Sequence, residues 1–289
     1  MKLAITVGDP RGIGPEVVAA ALADPRVTSA AEYVVIGSRD SVAGHPVAGL
    51  SAPDAGRRAG EAVVRAVELA VAGEVDGIVT APLDKAALLA GGYDFPGHTE
   101  MLAALTGSRV AMMLASDRLR VVLATTHIPL REVPDAVTRS AITSTAEITR
   151  AGLRDWFGIA EPRLALCALN PHAGDGGRFG DEDDRVLLPA AREAGVAGPF
   201  PADTVFVRAI RGEFDAVIAP YHDVGMTAIK VASFGEAVNV TLGLPFPRTS
   251  PDHGTALDIA GRGIANPSSM IAAVLMCAAI VNRKCAARS

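Results

Sequence analysis

Residues 120–127 read RVVLATTH, a short apolar run that ends in two threonines and a histidine. Two more stretches follow the same plan, LALCALNPH at 164–172 and AVIAPYHD at 216–223. Continuous apolar runs of this length are typical of parallel strands whose two faces are both covered by helices. These three stretches therefore predict an α/β fold.

The rest of the chain continues the alternation of short β-rich runs with helical stretches, which is typical of βα units. Predicted strands cover residues 3–7, 33–36, 76–80, 110–114, 120–125, 163–168, 215–219 and 237–242. Predicted helices cover residues 15–23, 59–72, 85–90, 99–105, 139–157, 184–194 and 267–282. Residues 38–56 are predicted to form a loop, because glycines and prolines interrupt them.

The composition restricts the class of protein. Hydrophobic residues make up 49% of the 289 residues and charged residues 20%, which permits a sizeable core. The net charge of -5 argues against a nucleic-acid partner, since such proteins usually carry a basic excess. Three cysteines without a CxxC pair indicate neither a disulfide framework nor a thiolate zinc site. The longest apolar stretch, 270–281, predicts a buried helix rather than a membrane span, so we expect a cytoplasmic protein without a membrane partner.

The three opening stretches each place a histidine after a predicted strand: His127, His172 and His222. In open parallel sheets, ligands bind outside the carboxyl ends of the strands. Three imidazoles at one such edge would suit a divalent metal ion, with coordination positions left for a substrate. Alternatively, each histidine satisfies a local hydrogen bond, which is the commoner role of a single histidine at a strand end. The spacing alone does not decide between the two interpretations.

A second pattern is the set Lys230, Asn239 and Arg248 in the same half of the chain. Cationic and amide side chains on neighbouring loops suit a phosphate or a carboxylate group. Ordinary solvated cations would explain each of these residues equally well when it is taken singly.

The glycine-rich segment 8–16, GDPRGIGPE, follows the first predicted strand and opens a helix. Its backbone N–H groups could meet an anion. However, Val17 stands where a Rossmann fingerprint has its third glycine, and the chain has no Walker A motif. A tight turn that leads into a helix explains the segment at least as well. A dinucleotide would therefore have to bind without the usual fingerprint.

Several segments together resemble the 4-hydroxythreonine-4-phosphate dehydrogenase (PdxA-like) family. They are GDPRGIGPE at 8–16, PGHTE at 96–100, TTH at 125–127, NPHAG at 170–174, PADT at 201–204, YHD at 221–223 and NVTLGLPFPRTS at 239–250. The resemblance implies an α/β fold like that of isocitrate and isopropylmalate dehydrogenases, with two α/β domains and a cleft between them. On this basis the first domain comprises residues 1–118 plus 250–289, and the second comprises 119–249.

The same resemblance implies the site residues and an assembly state. One divalent metal ion (zinc, cobalt, magnesium or manganese) would be bound by His127, His172 and His222. A small phosphorylated hydroxy-acid substrate would be contacted by His98, Thr99, Lys230, Asn239 and Arg248. Apart from the resemblance, we expect Lys85, Asp203 or Asp223 to transfer protons or to orient a ligand histidine, and the sequence does not rank the three. The chain would form a homodimer whose active site is shared by the two subunits.

A second resemblance concerns the cofactor. The stretch HGTALDIAGRGIANP at 253–267 is similar to the adenosine-binding loop of isopropylmalate and isocitrate dehydrogenases. It implies NAD, with His253 and Asn266 framing the adenine and Asp258 accepting the ribose hydroxyls. A carboxylate at that position would repel a 2′-phosphate, which favours NAD over NADP. A helix cap with a set of turns would also explain the glycines.

The resemblance implies a metal-dependent, NAD-linked oxidation of 4-hydroxythreonine 4-phosphate, with decarboxylation, to a 3-oxo acid in pyridoxal phosphate biosynthesis. One alternative is a paralogue that oxidises D-threonate or D-erythronate 4-phosphate or a related diol acid. Others are a phosphotransacetylase-like acyltransferase and a binding module without turnover. Arg11, Asp84 and a short segment at 38–55 depart from the family pattern, and these departures bear on the substrate rather than on the class of reaction.

Overall fold

The computed structural model describes residues 1–233 and 235–286, and the contacts of its backbone divide the chain into two units. The first unit consists of Met1–Ser108 with Val238–Ser289, and the second of Arg109–Ala237. The sequence-based domains, 1–118 plus 250–289 and 119–249, change at later positions than the units do, which change after Ser108 and after Ala237. The difference arises because two antiparallel pairs each stay within one unit: Ala111–Ala115 with Arg120–Leu123, and Val238–Leu242 with Arg248–Pro251.

The first unit contains five strands of a mixed sheet. Its strands, numbered along the whole chain, are β1 (Lys2–Thr6), β2 (Glu32–Ile36), β3 (Gly77–Thr80), β9 (Val238–Leu242) and β10 (Arg248–Pro251). In the order β2-β1-β3-β10-β9, all neighbours are parallel except β10 and β9. Strands β1 and β3 are buried apart from Lys2, as expected for strands covered on both faces.

Helices cover this sheet. They are α1 (Gly14–Leu22), α2 (Pro25–Thr28), α3 (Arg39–Val42), α4 (Ala52–Val71), α5 (Lys85–Ala90), α6 (His98–Thr106) and α12 (Ser268–Ala286). Among the described residues, α12 forms the one helix that is long and apolar enough to cross a membrane by length and composition. Its side chains Met270, Val274 and Cys277 are fully buried, and the helix contacts β3, β9 and β10. It therefore packs as a core helix of the first unit, as the sequence predicts for 270–281.

The second unit contains five further strands. Its strands are β4 (Ala111–Ala115), β5 (Arg120–Leu123), β6 (Leu164–Cys167), β7 (Ala197–Phe200) and β8 (Ala216–Ala219). In the order β4-β5-β8-β6-β7, only β4 and β5 are antiparallel neighbours. The three strands that precede the candidate histidines, β5, β8 and β6, are thus adjacent and parallel. Their carboxyl ends meet at one edge of the sheet, as the positional interpretation requires.

The helices of the second unit are α7 (Val133–Ala136), α8 (Arg139–Phe157), α9 (Leu188–Ala194), α10 (Ala202–Ile210) and α11 (His222–Ser233). Short 3-10 turns occur at Leu130–Glu132 and Pro171–Gly174, and one π-helical turn at Asp183–Leu187. The side chain of Thr138 accepts a hydrogen bond from the N–H of Ala141 at the start of α8, and Gly158 ends the helix with φ 72°. These signals explain why the bounds predicted for this helix are confirmed.

Several element predictions were wrong for identifiable reasons. Residues 52–56 belong to α4, because Pro53 lies in the first turn, where it is tolerated, and Ser51 caps the helix. Strands β7 and β10 were missed because prolines interrupt their sequences. Helices α10 and α11 were also missed; α10 begins directly after Pro201, and α11 begins two residues after Pro220.

Candidate active site

In the second unit, the ends of β5 and β8 are joined by two hydrogen bonds. The N–H of Ala124 donates to the carbonyl of Ala219 at 2.9 Å, and Thr125 Oγ1 donates to the carbonyl of Pro220 at 2.7 Å. Just beyond them, the ring centroids of His127 and His222 lie 5.4 Å apart. The structure therefore brings these two predicted metal ligands together.

The imidazole of His222 tests whether this pair suits a metal ion. Its Nδ1 is buried and has no hydrogen-bond partner among the described residues. A buried polar nitrogen without a partner is costly, and a metal ion is one species that would satisfy it. The chemistry of the donors thus fits a divalent cation.

The third histidine, His172, follows β6 on a tightly bent loop. Its ring centroid lies 6.3 Å from that of Phe179. Within 1–233 and 235–286, no group of three histidine, cysteine, aspartate or glutamate side chains is arranged to hold a metal ion. The participation of His172 as a third ligand therefore stays a prediction.

A cavity of about 380 Å³ lies at the carboxyl ends of β6 and β8. Its lining includes His172, Asp203 and Tyr221. Asp203 is an exposed residue in the first turn of α10, so its carboxylate lies at the mouth of a space large enough for a small substrate. Asp223 and Lys230 lie outside this lining on α11, where both side chains are exposed.

In the first unit, Arg248 of β10 is an almost fully buried cation, with an exposed fraction of 1%. Its Nη1 donates to Thr241 Oγ1 at 2.9 Å, and its Nη2 donates to Thr80 Oγ1 at 2.5 Å. The buried Nε has no partner among the described residues. Burial lowers the pKa of Arg248 to about 9, which still leaves the guanidinium charged at neutral pH. A buried, charged fork of this kind can bind an anion bidentately.

His98 begins α6 in the same unit, and its Nε2 is buried without a partner among the described residues. Burial lowers the pKa of His98 well below 6.5, and the positive charges of Arg248 and Lys85 lower it further. The imidazole is therefore neutral at physiological pH and can either donate or accept a hydrogen bond. Thr99 follows it in α6, while Asn239 on β9 has a buried Oδ1 without a partner among the described residues.

The predicted cofactor loop, 253–266, is held against the start of α1. The N–H of Ile13 donates to the carbonyl of Thr255 at 2.9 Å, and the carboxylate of Glu16 accepts from the N–H groups of Gly261 and Gly263, each at 3.3 Å. These glycines have φ of 77° and 67°, a conformation that favours glycine. The loop therefore has a defined path although it contains no helix or strand.

The polar side chains of this loop have different environments. His253 has a buried Nε2 without a partner among the described residues, which fits a role in binding a ligand. Asp258 is exposed and accessible to ribose hydroxyls. The Oδ1 of Asn266 accepts from the N–H and the hydroxyl of Ser268, at 2.9 and 2.6 Å, and so caps α12. The helix cap that the sequence offers as the alternative interpretation of this loop is therefore present, at Asn266.

Two of the three departures noted in the sequence, Arg11 and Asp84, have structural roles. Arg11 donates from Nε and Nη2 to the carboxylate of Asp9, at 3.1 and 2.7 Å. Because the Asp9 side chain is only 1% exposed, Arg11 neutralises a buried charge. Asp84 accepts from the N–H of Ala87 at 2.7 Å and caps α5. Neither contact changes the substrate-binding residues directly.

Comparison with known proteins decides the family. Residues 15–277 match the model of the pyridoxal phosphate biosynthetic protein PdxA. The chain belongs to the PdxA family. One PdxA relative, a 4-hydroxythreonine-4-phosphate dehydrogenase from Desulforapulum autotrophicum, is 41% identical over 96% of this chain and 94% of its own. Another of the same name, from Ruegeria sp., is 44% identical over 94% of each chain.

Solved structures agree with this assignment to the PdxA family. The 4-hydroxythreonine-4-phosphate dehydrogenase of Klebsiella pneumoniae superposes with a TM-score of 0.86 at 38% identity, covering 97% of this chain and 98% of that one. A terephthalate 1,2-cis-dihydrodiol dehydrogenase from Burkholderia xenovorans gives 0.67 at 27% identity, over 96% and 98%. Isocitrate dehydrogenase from Methylococcus capsulatus gives 0.53 at 18% identity, over 99% and 87%, which shows the fold alone. The predicted family and isocitrate dehydrogenase-like α/β fold are confirmed.

Several functional candidates were missed by sequence reasoning. Thr80 and Thr241 hold Arg248, Glu16 holds the cofactor loop, and Asp183 holds the backbone before His172. The only sequence signal for Glu16 was its place in the family segment 8–16. Thr241 likewise lies in the family segment 239–250, seven positions from Arg248. Thr80 and Asp183 act through contacts that span 168 and 14 positions, which no local pattern reveals.

Proposed function

We propose that the chain is an NAD-linked, metal-dependent dehydrogenase that oxidises 4-hydroxythreonine 4-phosphate to a 3-oxo acid, with decarboxylation, in pyridoxal phosphate biosynthesis. The names of the PdxA relatives support this substrate. The observation that carries the proposal is the buried, charged Arg248 close to the neutral imidazole of His98. Arg248 Nε and His98 Nε2 are both buried and have no hydrogen-bond partner among the described residues. A phosphorylated substrate would satisfy both groups.

Residues of the first unit would bind and orient this substrate. Arg248, fixed by its two threonines, would hold the phosphate as a planar fork. Lys230 would supply a flexible positive charge for the substrate. His98, Thr99 and Asn239 would supply directional hydrogen bonds. Such contacts raise the rate mainly by holding the reacting carbon in one orientation.

His127, His172 and His222 would hold the divalent cation, and the buried Nδ1 of His222 supports this assignment. Zinc, cobalt, magnesium and manganese all remain candidates. When bound, such an ion supplies Lewis-acid chemistry at an oxygen of the substrate. Lys85, Asp203 and Asp223 are the candidate proton carriers. Asp203 is favoured by its place in the cavity wall beside His172.

The loop 253–266 would bind NAD, which supplies the hydride acceptor when bound. His253 would contact the adenine through its buried Nε2. Asn266, at the end of the loop, would also contact the adenine. The exposed carboxylate of Asp258 would accept hydrogen bonds from the ribose hydroxyls. The same charge would repel the 2′-phosphate of NADP.

We further propose that the protein is a cytoplasmic homodimer in which both subunits contribute to each active site. Support comes from the family resemblance. Light scattering would measure the mass of the assembly. Mixing inactive His222→Ala and Arg248→Ala subunits should restore part of the activity if the two side chains serve one site from different subunits. A fully active monomer would contradict the proposal.

A diol acid is a second candidate substrate, because the terephthalate dihydrodiol dehydrogenase shares the fold at 27% identity. Arg248 would then bind a carboxylate instead of a phosphate. Within the phosphorylated class, D-threonate and D-erythronate 4-phosphates are the alternatives.

One assay tests these possibilities together. Initial rates of NADH formation would be measured for the four-carbon phosphorylated acids and for a cis-dihydrodiol acid, with and without a chelator. We expect the highest kcat/KM with 4-hydroxythreonine 4-phosphate and loss of turnover after chelation. Turnover that survives complete metal removal, or NADH formation with none of the phosphorylated acids, would overturn the proposal.

A further inference from the structure

Asp183, at the start of the π-helical turn Asp183–Leu187, is a fully buried carboxylate. None of the described residues forms an ion pair with it. Its charge is met by N–H donors instead. The N–H of Leu169 donates to Oδ1 at 2.9 Å, while the N–H and the Nδ2 of Asn170 donate to Oδ2, each at 3.0 Å. Burying a carboxylate costs free energy, and here the hydrogen bonds that offset this cost also fix the backbone that donates them.

What Asp183 orders is the backbone that leads into His172. Beyond Asn170 the chain turns sharply: His172, Ala173 and Asp175 have φ of 54°, 55° and 46°. Residues other than glycine rarely adopt this left-handed conformation, and it persists only where surrounding contacts enforce it. Three consecutive donors on Leu169 and Asn170 fix the base of the turn from one side.

The same base is fixed from a second direction. Asn170 Nδ2 also donates to Glu182 Oε2 at 2.8 Å. Gly180 lies so close that an added Cβ would approach Asn170 Nδ2 to 2.7 Å. The N–H of Phe179 donates to the carbonyl of Gly174 at 3.1 Å, which closes the loop. Hydrogen bonds within the segment 169–183 thus fix its conformation, and the buried Asp183 accepts three of them.

We propose that Asp183 is a positioning residue for the metal site. By holding Leu169 and Asn170, it fixes the direction in which the turn presents the His172 imidazole. This inference rests on the proposed role of His172 as a ligand. Carboxylates behind a ligand histidine usually act on the ring nitrogen, whereas Asp183 acts on the backbone that carries the ring.

The test compares two carboxylates at opposite ends of β6. Asp183 accepts from the backbone just after this strand, and Asp215 accepts from the N–H of Arg163 just before it, at 2.8 Å. Asp183→Asn removes an acceptor and should weaken binding of Co²⁺, measured by competition with a chelator, by about 10- to 100-fold. Asp215→Asn should lower the thermal midpoint comparably and leave the Co²⁺ dissociation constant within about threefold. The visible absorption of bound Co²⁺ should change in the first variant only.

Asn170→Ala provides a milder variant if Asp183→Asn does not fold. It removes one of the three donors and keeps both backbone bonds, so Co²⁺ affinity should fall in the same direction by a smaller factor. Folded variants that bind Co²⁺ as tightly as wild type, or an equal loss in Asp215→Asn, would overturn the inference. If the wild type binds no divalent ion, the proposed function fails. If His172→Ala loses the ion and both Asp183→Asn and Asn170→Ala keep it, only the inference fails.

Discussion

Arg248 and Thr80, 168 positions apart in the sequence, are joined by a hydrogen bond of 2.5 Å between Nη2 and Oγ1. With the bond to Thr241, it orients the guanidinium through hydroxyl groups, which leave its positive charge intact. The carboxylate of Glu100 also acts on this cation, since it raises the pKa of Arg248 against the lowering by burial.

The first prediction concerns the geometry of this cation. Arg248→Lys keeps a positive charge and loses the planar fork, so KM for the phosphorylated substrate should rise about 10- to 100-fold. Steady-state kinetics at saturating NAD would measure it. Arg26→Lys, at an exposed arginine paired with Asp24, is the matched control and should change nothing. An unchanged KM in Arg248→Lys would show that the guanidinium does not bind the substrate.

The second prediction concerns pH. Burial, Arg248 and Lys85 hold the pKa of His98 well below 6.5 in the folded protein, so the unfolded chain binds the proton more readily. The stability contributed by neutral His98 is therefore complete above pH 6.5 and declines as the pH falls below that value. The decline is at most about 1.4 kcal/mol per pH unit.

Nuclear magnetic resonance of ¹⁵N-labelled imidazoles would check this directly. The ring of His98 should remain neutral at pH 6, and His98→Gln should flatten the loss of stability between pH 6.5 and 5. His45→Gln, at an exposed position, is the control and should leave that slope unchanged. A His98 ring that titrates near pH 6.5 contradicts the prediction.

The third prediction concerns Arg11. Arg11→Ala removes two hydrogen bonds from the carboxylate of Asp9 and leaves that charge buried, which should lower the free energy of unfolding by about 2–4 kcal/mol. Urea denaturation would measure the loss. Combining Arg11→Ala with Asp9→Asn should recover part of it, because the unpaired charge is removed. A loss below about 0.5 kcal/mol would mean that Asp9 does not need its partner.

The fourth prediction concerns Glu16 and the proposed cofactor loop. Glu16→Ala removes the acceptor of the Gly261 and Gly263 N–H groups, so KM for NAD should rise roughly 5- to 30-fold with kcat little changed. Hydrogen exchange of the two glycine amides should accelerate, whether or not NAD is present. Glu68→Gln on α4 is a control at an exposed glutamate. Unaltered exchange at both amides would exclude this role of Glu16.

Local signals in the sequence were enough to predict much of the fold. Helix α8 has a capping threonine and a terminal glycine, and its bounds were predicted correctly. The three strands before the candidate histidines were located by their apolar runs. Their adjacency in the sheet is an observation of the structure, which the apolar runs alone did not predict. By contrast, β10 reads RTSP between prolines, and it becomes a strand because β3 and β9 pair with it on either side.

The candidate site was also predictable only in part from the sequence. Residues that would touch a ligand could be named from motifs, since their types carry the chemistry. Residues that hold them could not, because Asp183 reaches Leu169 across 14 positions and Thr80 reaches Arg248 across 168. Such contacts exist only after the chain has folded.

The division of the chain has a consequence for its synthesis. The second unit is one uninterrupted segment, Arg109–Ala237, whereas the first lacks β9, β10 and α12 until the last part of the chain has emerged from the ribosome. The second unit can therefore fold during synthesis, whereas the amino-terminal part of the first unit cannot complete its fold until β9, β10 and α12 have been synthesised. Slow elongation late in the message would prolong the exposure of the edge of β3 that β10 later covers, and chaperone demand should peak at that stage.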